Sequence, residues 1–285
     1  MLQNLIFFFE KIEPLQRLMI FLSVLSFFSL IEFIIPLRDN KRSRRNHLTI
    51  NLFLTTTTFI INAGLAFILL ATSQWVTDHQ FGISNLLFSK NVYLHLVSSI
   101  LILDLVGAYT PHFIEHKVKY LWQFHVIHHT DTIIDVTTGH RHHPGESIIR
   151  FGFTTLAVLI SGAGIAEVML YQTLSSFFAM WAHANIRLPK RADKLLSYIF
   201  VTPNLHRIHH HIEQPLSDKN MGNMISLWDR LFGTFAYFDE KTIIFGTDTY
   251  PLEKENNNLK FLMKLPFLGY RLSEYNKKKE VKLNR

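Results

Sequence analysis

The sequence predicts an all-α protein, a polytopic bundle of membrane helices with a histidine-rich helical cap on the cytoplasmic side. Three observations lead to this class. Of the 285 residues, 48% are hydrophobic, several apolar runs are long enough to enter a bilayer, and 16 histidines include a series of short motifs. A helix needs about 20 mostly apolar residues to cross the hydrocarbon core. We therefore expect an integral membrane protein with its polar chemistry in the cap.

Four apolar runs are the candidate membrane segments. They extend over about Leu15 to Ile35, Leu48 to Ala71, Asn91 to Thr110 and Phe151 to His183. A buried core helix of a soluble protein is the alternative for each, and it fits poorly with a second run that contains no charged residue. The fourth run is too long for one crossing and is interrupted by Gly162 and Gly164, which predicts two short helices in a re-entrant hairpin.

The basic residues predict the orientation of these segments. Five of them lie in the loop after the first run, namely Arg38, Lys41, Arg42, Arg44 and Arg45. The next loop, Thr72 to Lys90, has only Lys90. Basic residues mark cytoplasmic loops, so the first loop and everything after the third run are expected in the cytoplasm. At the N-terminus no basic residue precedes the apolar stretch, which favours a short interfacial helix over a signal peptide.

Charge and composition exclude several classes of function. The net charge is +7, but the basic residues gather beside apolar segments, which suits an anionic membrane surface better than nucleic acid. The chain has no cysteine, so thiolate zinc sites, iron–sulfur clusters and cysteine nucleophiles are absent. The glycine pattern from Gly162 to Glu167 lies within an apolar run and lacks the preceding strand of a dinucleotide site. Electrons for any redox reaction must therefore come from a separate protein.

The histidines form motifs with helical spacing. His112 and His116 are four residues apart, and the two HxxHH motifs are His125, His128 and His129, and His206, His209 and His210. Residues three and four apart share a helix face, so each motif presents its imidazoles in one direction. His140, His142 and His143 stand in GHRHHPGE, and His183 ends the fourth apolar run. Several such faces would surround a small volume with nitrogen donors.

The number of imidazoles indicates two metal ions. Imidazole suits iron, zinc, copper and nickel, whereas one zinc ion takes about four ligands. About ten clustered histidines exceed that need, and open positions in a dinuclear site favour iron and dioxygen chemistry. Two alternatives stay open. A zinc-dependent membrane hydrolase lacks an HExxH motif here, and a metal transporter would place its ionisable residues within the spans.

From Asp104 to Phe235 the chain resembles the fatty acid hydroxylase and sterol desaturase superfamily of membrane di-iron oxygenases. The resemblance rests on DLVGAYTPHFIEH, YLWQFHVIHHT, RHHPGE, HANIRLP, TPNLHRIHHH and DKNMGNMISLWDRLFGTF. The last motif is similar to bacterial sterol-desaturase-type proteins and alkylglycerol monooxygenases. Phe113 and Met221 depart from the usual arginine and tyrosine, which affects the expected substrate rather than the ligands. The resemblance implies these ligands: His112, His116, His125, His128, His129, His143, His183, His206, His209 and His210.

This resemblance implies a membrane enzyme that uses two iron ions and dioxygen to hydroxylate or desaturate a lipid or sterol-like substrate. It also implies a separate electron donor, a cytochrome or a ferredoxin with its reductase. A bacterial inner membrane is the expected location. We divide the chain into an N-terminal transmembrane region (1–103), the di-iron domain with the re-entrant hairpin (104–240) and a basic cytoplasmic tail (241–285). The tail is expected to lie along the membrane or to be partly disordered.

Polar residues near the motifs are candidates for supporting the ligands, because metal-bound histidines need partners that fix their orientation. Asp104, Asn185 and Asp218 are the principal candidates, and a carboxylate inside a membrane helix, such as Asp104, is costly and tends to face the protein interior. The further candidates are Glu115, Asp131, Glu146 and Asn220. His140, His142 and His211 match no ligand position. His47 and His79 lie outside the motifs and are expected to be dispensable for metal binding.

Overall fold

The computed structural model describes residues 1–38, 44–238, 243–274 and 277, and in this part of the chain the regular elements are helices joined by a few isolated β-bridges. This confirms the all-α class. The α-helices are α1 (Leu2–Glu10), α2 (Pro14–Ile34), α3 (Arg44–Asp78), α4 (Ile83–Phe88), α5 (Val92–Asp104), α6 (Thr110–Lys117), α7 (Lys119–His129), α8 (Pro144–Ser161), α9 (Ile165–His183), α10 (Lys190–Leu196), α11 (Pro203–His209), α12 (Leu227–Leu231), α13 (Glu253–Asn256) and α14 (Leu259–Lys264).

Three helical stretches of the described chain are long and apolar enough to cross a membrane. They are Pro14–Ile34, Arg45–Phe88 and Val92–Lys117, and in their most apolar windows only 11%, 17% and 39% of the residues are buried. Apolar side chains that face outward over such lengths fit a lipid environment. The three stretches confirm the first three predicted segments and fit an integral membrane protein. Lys41 and Arg42 of the predicted cytoplasmic loop lie outside the described residues.

Helix α3 extends well beyond the predicted second segment. Its 35 residues correspond to about 52 Å at 1.5 Å per residue, whereas the hydrocarbon core is about 30 Å thick. The extra length projects into the cap, where His47 and Asn51 are buried against Asp131. The second membrane helix is therefore also a structural part of the cap.

The third membrane stretch changes its helical register just before the histidines. Helix α5 ends at Asp104, a π-helical turn covers Leu105–Tyr109, and α6 continues to Lys117. Gly107 lies in this turn, and a side chain there would come within 3.4 Å of Ala157 on α8. Single π-turns are common at functional sites because they redirect the following side chains. Here the turn is followed at once by His112 and His116.

The fourth apolar run forms two helices, α8 and α9, and the chain reverses between them as predicted. Gly162 terminates α8 in the left-handed conformation with φ of 77°. Its backbone lies against that of Phe81 and Gly82, and Ser73 Oγ donates to the Ala163 carbonyl. The tip of the hairpin thus reaches the end of α3. With 18 and 19 residues, both helices are longer than the short helices that the sequence suggested.

The cap lies at the opposite end of the bundle from this tip. Helices α6, α7 and α11 carry most of the histidines, and α9 delivers His183 from the bundle. The segment after Ile243 covers α7: Leu262 and Leu265 are fully buried and share an apolar cluster with Val126 and Ile127. The described part of the predicted tail is therefore packed on the cap. Apolar residues within its basic sequence explain this packing.

Candidate metal centre

Nine histidines of the motifs lie in two adjoining buried groups, one of five and one of four. In each group the candidate ligand atoms lie within 4.8 Å of one another. Group A consists of His112, His116, His125, His129 and His209, and group B of His128, His183, His206 and His210. The groups touch, since the rings of His129 and His210 are 4.8 Å apart. Each HxxHH motif contributes to both groups, which holds them side by side.

In group A, hydrogen bonds fix the orientation of four imidazoles. His112 Nδ1 donates to the Met221 carbonyl at 2.7 Å, and His209 Nδ1 donates to the Lys219 carbonyl at 2.9 Å. His116 Nδ1 lies 3.2 Å from Asp218 Oδ1, and His125 Nδ1 lies 2.8 Å from Glu146 Oε1. A neutral imidazole that donates through Nδ1 has a lone pair on Nε2. These four rings therefore direct electron pairs into the interior of the group.

In group B, four Nε2 atoms converge. His183 Nε2 lies 3.1 Å from that of His128, 3.1 Å from that of His210 and 2.9 Å from that of His206. His183 Nδ1 donates to the Ala179 carbonyl at 2.7 Å, so its Nε2 is an acceptor. The single lone pair of this atom cannot accept hydrogen bonds from all three neighbouring imidazoles. A cation at the centre of the four would satisfy them together.

The donor set fits metal ions at both groups. The Nε2 atoms of His112, His116 and His209 are buried and have no hydrogen-bond partner among the described residues. Buried polar atoms normally find a hydrogen-bond partner. The lone pairs of these Nε2 atoms point into the interior of group A, where they could bind a metal ion. Five and four neutral nitrogens match the preference of iron, zinc, copper and nickel for imidazole.

Burial keeps the histidines of the cap in the form that binds metal. Burial, followed by the proximity of other imidazoles, lowers the pKa of His128, His129 and His210 well below the usual histidine range. The pKa of His209 is also well below that range, chiefly because of burial. Only the neutral imidazole can donate an electron pair to a metal, so these side chains are competent ligands at neutral pH.

Glu146 is the main carboxylate beside group A. Its Oε1 atom lies 2.8 Å from His125 Nδ1, 2.8 Å from His142 Nδ1 and 2.9 Å from Arg150 Nε. Arg150 also donates to Glu115 Oε2 at 2.6 Å. The five side chains form one largely buried network in which the arginine offsets the two carboxylates. Of the supporting residues suggested by the sequence, Glu146 and Glu115 thus lie where such residues are needed.

Asp218 is the second carboxylate that meets a histidine of the groups. Burial acts to raise its pKa, but His116 and Lys117 outweigh this effect and lower the pKa to about 2. Lys117 Nζ donates to Asp218 Oδ2 at 2.8 Å. The carboxylate is therefore ionised and accepts a hydrogen bond from the Nδ1–H of His116. The structure places this predicted supporting residue beside a candidate ligand.

The two other principal candidates, Asp104 and Asn185, bond to groups other than the histidines. Asp104 Oδ2 accepts from Trp228 Nε1 at 2.8 Å and from the Ile225 N–H at 3.3 Å. Asn185 exchanges hydrogen bonds with the backbone of Arg38 at 3.1 and 2.9 Å. Asp104 joins a membrane helix to the cap, and Asn185 joins the chain after α9 to the end of α2. Their influence on the groups is indirect.

His143 is the one predicted ligand that lies outside both groups. Its Nδ1 accepts from the Gly145 N–H at 2.9 Å, which caps the first turn of α8, and its Nε2 lies 3.3 Å from the Met263 carbonyl. Both ring nitrogens are therefore occupied away from the groups. His142, which matched no ligand position, lies closer, since its ring stacks on His128 with centroids 5.0 Å apart.

The remaining histidines have other partners. His140 Nε2 lies 3.1 Å from Ser176 Oγ, and His211 Nδ1 accepts from the Glu213 N–H at 3.0 Å. His47 is not on the surface, because its Nε2 lies 2.9 Å from Asp131 Oδ2 in the buried core of the cap. His79 is exposed at the far end of α3. It is the appropriate control for substitution experiments.

Sequence reasoning missed the backbone acceptors of the centre. The carbonyls of Met221, Lys219 and Ala179 orient three histidines, and a carbonyl has no residue-type signal. Asp229 holds the first of them in place by accepting from the N–H groups of Met221 and Gly222 at 2.7 and 3.0 Å. Burial raises the pKa of Asp229 to about 6 in spite of these hydrogen bonds. Asp229 lies in the motif DKNMGNMISLWDRLFGTF, and this was the signal in the sequence that could have indicated its role.

Comparison with known proteins supports the same part of the chain. Residues 96–234 match the fatty acid hydroxylase family. The chain is 28% identical to an ornithine lipid hydroxylase of Rhizobium tropici over 129 residues, which are 45% of this chain and 38% of that protein. It is 32% identical to an alkylglycerol monooxygenase of Danio rerio over 148 residues, which are 52% of this chain and 31% of that protein. These matches confirm the resemblance drawn from the histidine motifs.

A third relative is more distant. Over 152 residues the chain is 25% identical to a cholesterol 25-hydroxylase-like protein of Danio rerio, covering 48% of this chain and 53% of that protein. The chain thus spans less than two fifths of the first two relatives, 38% and 31% of their lengths. No solved structure matches the chain. The family match, over residues 96–234, contains both histidine groups.

Proposed function

We propose, from the premise that residues 96–234 are a fatty acid hydroxylase domain, that this chain is a membrane oxidoreductase that hydroxylates a lipid. Dioxygen is the oxidant, and groups A and B each hold one iron ion. The observation that carries the proposal is the pair of adjoining imidazole groups, whose ligand atoms converge within 4.8 Å in each. A single zinc site of a hydrolase would use about four of these nine histidines.

The position of the groups supports a lipid substrate. His183 ends α9 and His112 lies in the last turns of the third membrane stretch, so the groups lie where membrane helices enter the cap. A lipid chain can approach from the hydrocarbon between such helices without exposing its apolar part to water. The relatives include enzymes named for ornithine lipid and alkylglycerol. A lipid with a polar headgroup and a long chain is therefore the substrate class that we propose.

The cofactor would supply oxidising power against an unreactive aliphatic C–H bond, while the protein supplies position and exclusion of water. In hydroxylation one oxygen atom enters the C–H bond and the other becomes water, which consumes two electrons and two protons. Desaturation consumes the same two electrons and protons but releases both oxygen atoms as water. We propose a separate cytochrome or ferredoxin with its reductase as the electron donor.

The proposal is tested with purified protein in lipid vesicles. The protein is given a ferredoxin and its reductase, oxygen-18 dioxygen and a total lipid extract, and the products are analysed by mass spectrometry. We expect one labelled oxygen atom in a lipid alcohol, only when the electron donor is present. An unlabelled alkene would indicate desaturation instead. Lipid turnover that is equally fast without dioxygen would rule out an oxygenase.

Metal analysis distinguishes the alternatives. We expect about two irons per chain from two neutral-imidazole groups of four or more ligands, whereas a zinc hydrolase would contain one zinc. Loosely held metal that exchanges freely would favour a transporter. The His79→Ala variant serves as the matched control, since His79 is exposed and distant from the groups. It should keep both its metal content and its oxygenase activity.

A further inference from the structure

The side of the cap formed by α10 and α12 exposes a cluster of large apolar side chains. We call it the lateral patch. It contains Leu195, Tyr198, Ile199, Leu227, Leu231 and Phe232, which are 71%, 51%, 53%, 45%, 70% and 53% exposed. The two helices are joined directly, because the Ser226 N–H donates to the Ile199 carbonyl and Arg230 donates to the Ser197 carbonyl. The six side chains therefore form one surface, not six isolated exposures.

The lateral patch lies close to the depth of the membrane helices. Trp228, on the buried face of α12, is bonded to Asp104 at the end of α5. Asp104 is about 18 Å along the helix from Val92, which is less than the hydrocarbon thickness of about 30 Å. On the other side, Phe200 stacks on Phe178 of α9 at 5.2 Å. The patch thus continues the lipid-facing surface of the bundle into the cap.

The exposed charges within the two stretches that form the lateral patch are basic. In residues 190–200 and 226–232 the basic side chains are Lys190, Arg191, Lys194 and Arg230, and all are exposed. The acidic residues of these two stretches, Asp193 and Asp229, are only 4% and 0% exposed. Long basic side chains beside apolar ones can keep their charge at the headgroups while the stem covers apolar surface. This arrangement complements an anionic lipid surface and not a basic protein.

We infer that the lateral patch is a second membrane contact, in which the cap lies partly in the headgroup region of the leaflet nearest to it. Its occupant is the lipid surface, with anionic lipids at the basic rim. Amphipathic helices with an apolar face and basic residues on the polar side bind membranes in this way, with the apolar face buried about 5–10 Å into the boundary between headgroups and acyl chains. The inference goes beyond the proposed reaction and does not depend on it.

The absence of cysteine allows a direct test by site-specific labelling. Single substitutions Leu195→Cys and Leu231→Cys place a fluorescent label on the patch. The membrane control is Phe67→Cys, since Phe67 is 67% exposed on the lipid-facing side of α3. The aqueous control is Glu213→Cys, on the exposed outer face of the cap. Each labelled protein is reconstituted in phosphatidylcholine vesicles with or without phosphatidylglycerol. Quenching is measured with brominated lipid chains and with water-soluble iodide.

Labels at positions 195 and 231 should be quenched by brominated lipid to about half the extent seen at 67, as expected for an interfacial depth, and little by iodide. Adding Arg191→Gln and Lys194→Gln should reduce lipid quenching at 195 more in vesicles that contain phosphatidylglycerol than in those that do not. Iodide quenching equal to that at 213 would overturn the inference. Protection from both quenchers would also overturn it, because a protein, such as a second copy of the chain, would then cover the patch.

Discussion

At the scale of single residues, the centre is organised by hydrogen bonds that fix which ring nitrogen is free. His112 and His209 each donate Nδ1–H to a backbone carbonyl, and His183 does so to the turn that precedes it. A carbonyl accepts only, so the tautomer of each ring is determined by the fold before a metal binds. Orientation by carbonyls and carboxylates raises ligand basicity and is typical of metal-bound histidines.

The first prediction concerns the ligands themselves. His128→Ala and His209→Ala each remove one neutral nitrogen, from group B and group A respectively. The metal affinity should fall by more than the roughly 10–100-fold loss that follows when a supporting residue is removed. Metal content after gel filtration, measured by mass spectrometry of the elements, is the readout. His79→Ala should retain its metal, and equal loss in all three variants would show that the groups are not the binding sites.

The second prediction concerns Glu146. Glu146→Gln keeps the shape but removes the charge that faces His125, His142 and Arg150. An amide cannot accept from three donors at one oxygen as a carboxylate does. We expect metal binding to weaken about 10–100-fold, measured by competition with a chelator of known affinity.

Glu253→Gln, at an exposed position on α13, is the matched control and should bind metal like the unchanged protein. If Glu146→Gln also retained full affinity, the carboxylate would be a structural partner of Arg150 and not a support for His125. Thermal unfolding of the metal-free variant separates these roles, because only the structural role should lower its unfolding temperature.

The sequence anticipated the histidines better than their surroundings. Spacing alone placed His125, His128 and His129 on one helical face, because the period of a helix is short and local. It could not show that His128 belongs to a different group from its neighbours, since that depends on how α7 lies against α9 and α11. Nor could spacing show that His143 lies outside both groups, because a histidine before Pro144 suits both a ligand motif and a helix cap.

At the scale of helices, breaks in the regular pattern position the site. The π-turn at Leu105–Tyr109 redirects the helix that carries His112, and the reversal at Gly162 returns the chain so that α9 ends in His183. The reversal was visible in the sequence because glycine adopts positive φ without steric cost. The π-turn was not, because a single extra residue in a helix leaves the composition of the run unchanged.

The third prediction tests the reversal. Gly162→Ala places a side chain in the left-handed region, which costs about 1–2 kcal/mol, and its Cβ would lie 2.2 Å from the Phe81 carbonyl oxygen. The backbone must move to relieve that contact, so we expect the free energy of unfolding to fall by more than about 2 kcal/mol in total. Thermal unfolding of the purified protein in detergent is the measurement.

Gly152→Ala on the same hairpin is the control for this substitution. No atom lies within 4 Å of the new side chain there, and the position is within α8. Alanine favours a helix over glycine by up to about 1 kcal/mol, so the control should unfold at the same temperature or higher. A similar destabilisation by both substitutions would indicate a general intolerance of the hairpin and not a specific conformation at Gly162.

At the scale of the whole molecule, the membrane bundle and the cap form one continuous structure. Helix α3 extends from the hairpin tip into the cap, and the segment after Ile243 covers α7 through Leu262 and Leu265. From composition, the bundle and the cap were predicted as separate parts. Runs of apolar residues are recognisable in a sequence, whereas contacts between distant segments are not. The three long membrane helices were therefore predicted, although the second is longer than expected, whereas the packing of the C-terminal segment was not.

The last prediction concerns the orientation of this structure in the membrane. The Arg38 backbone is bonded to Asn185 in the cap, so Arg38, just after α2, lies on the same side as the histidine groups. Ser89, exposed between α4 and α5, lies at the other end. Because basic loops stay in the cytoplasm, an impermeant maleimide added to intact cells should label Ser89→Cys but not Glu213→Cys. Both should react after lysis, which controls for accessibility, and the cysteine-free parent should not react at all. Labelling of Glu213→Cys alone in intact cells would reverse the orientation and place the histidine groups outside the cytoplasm, away from the reductases on which the proposed reaction depends.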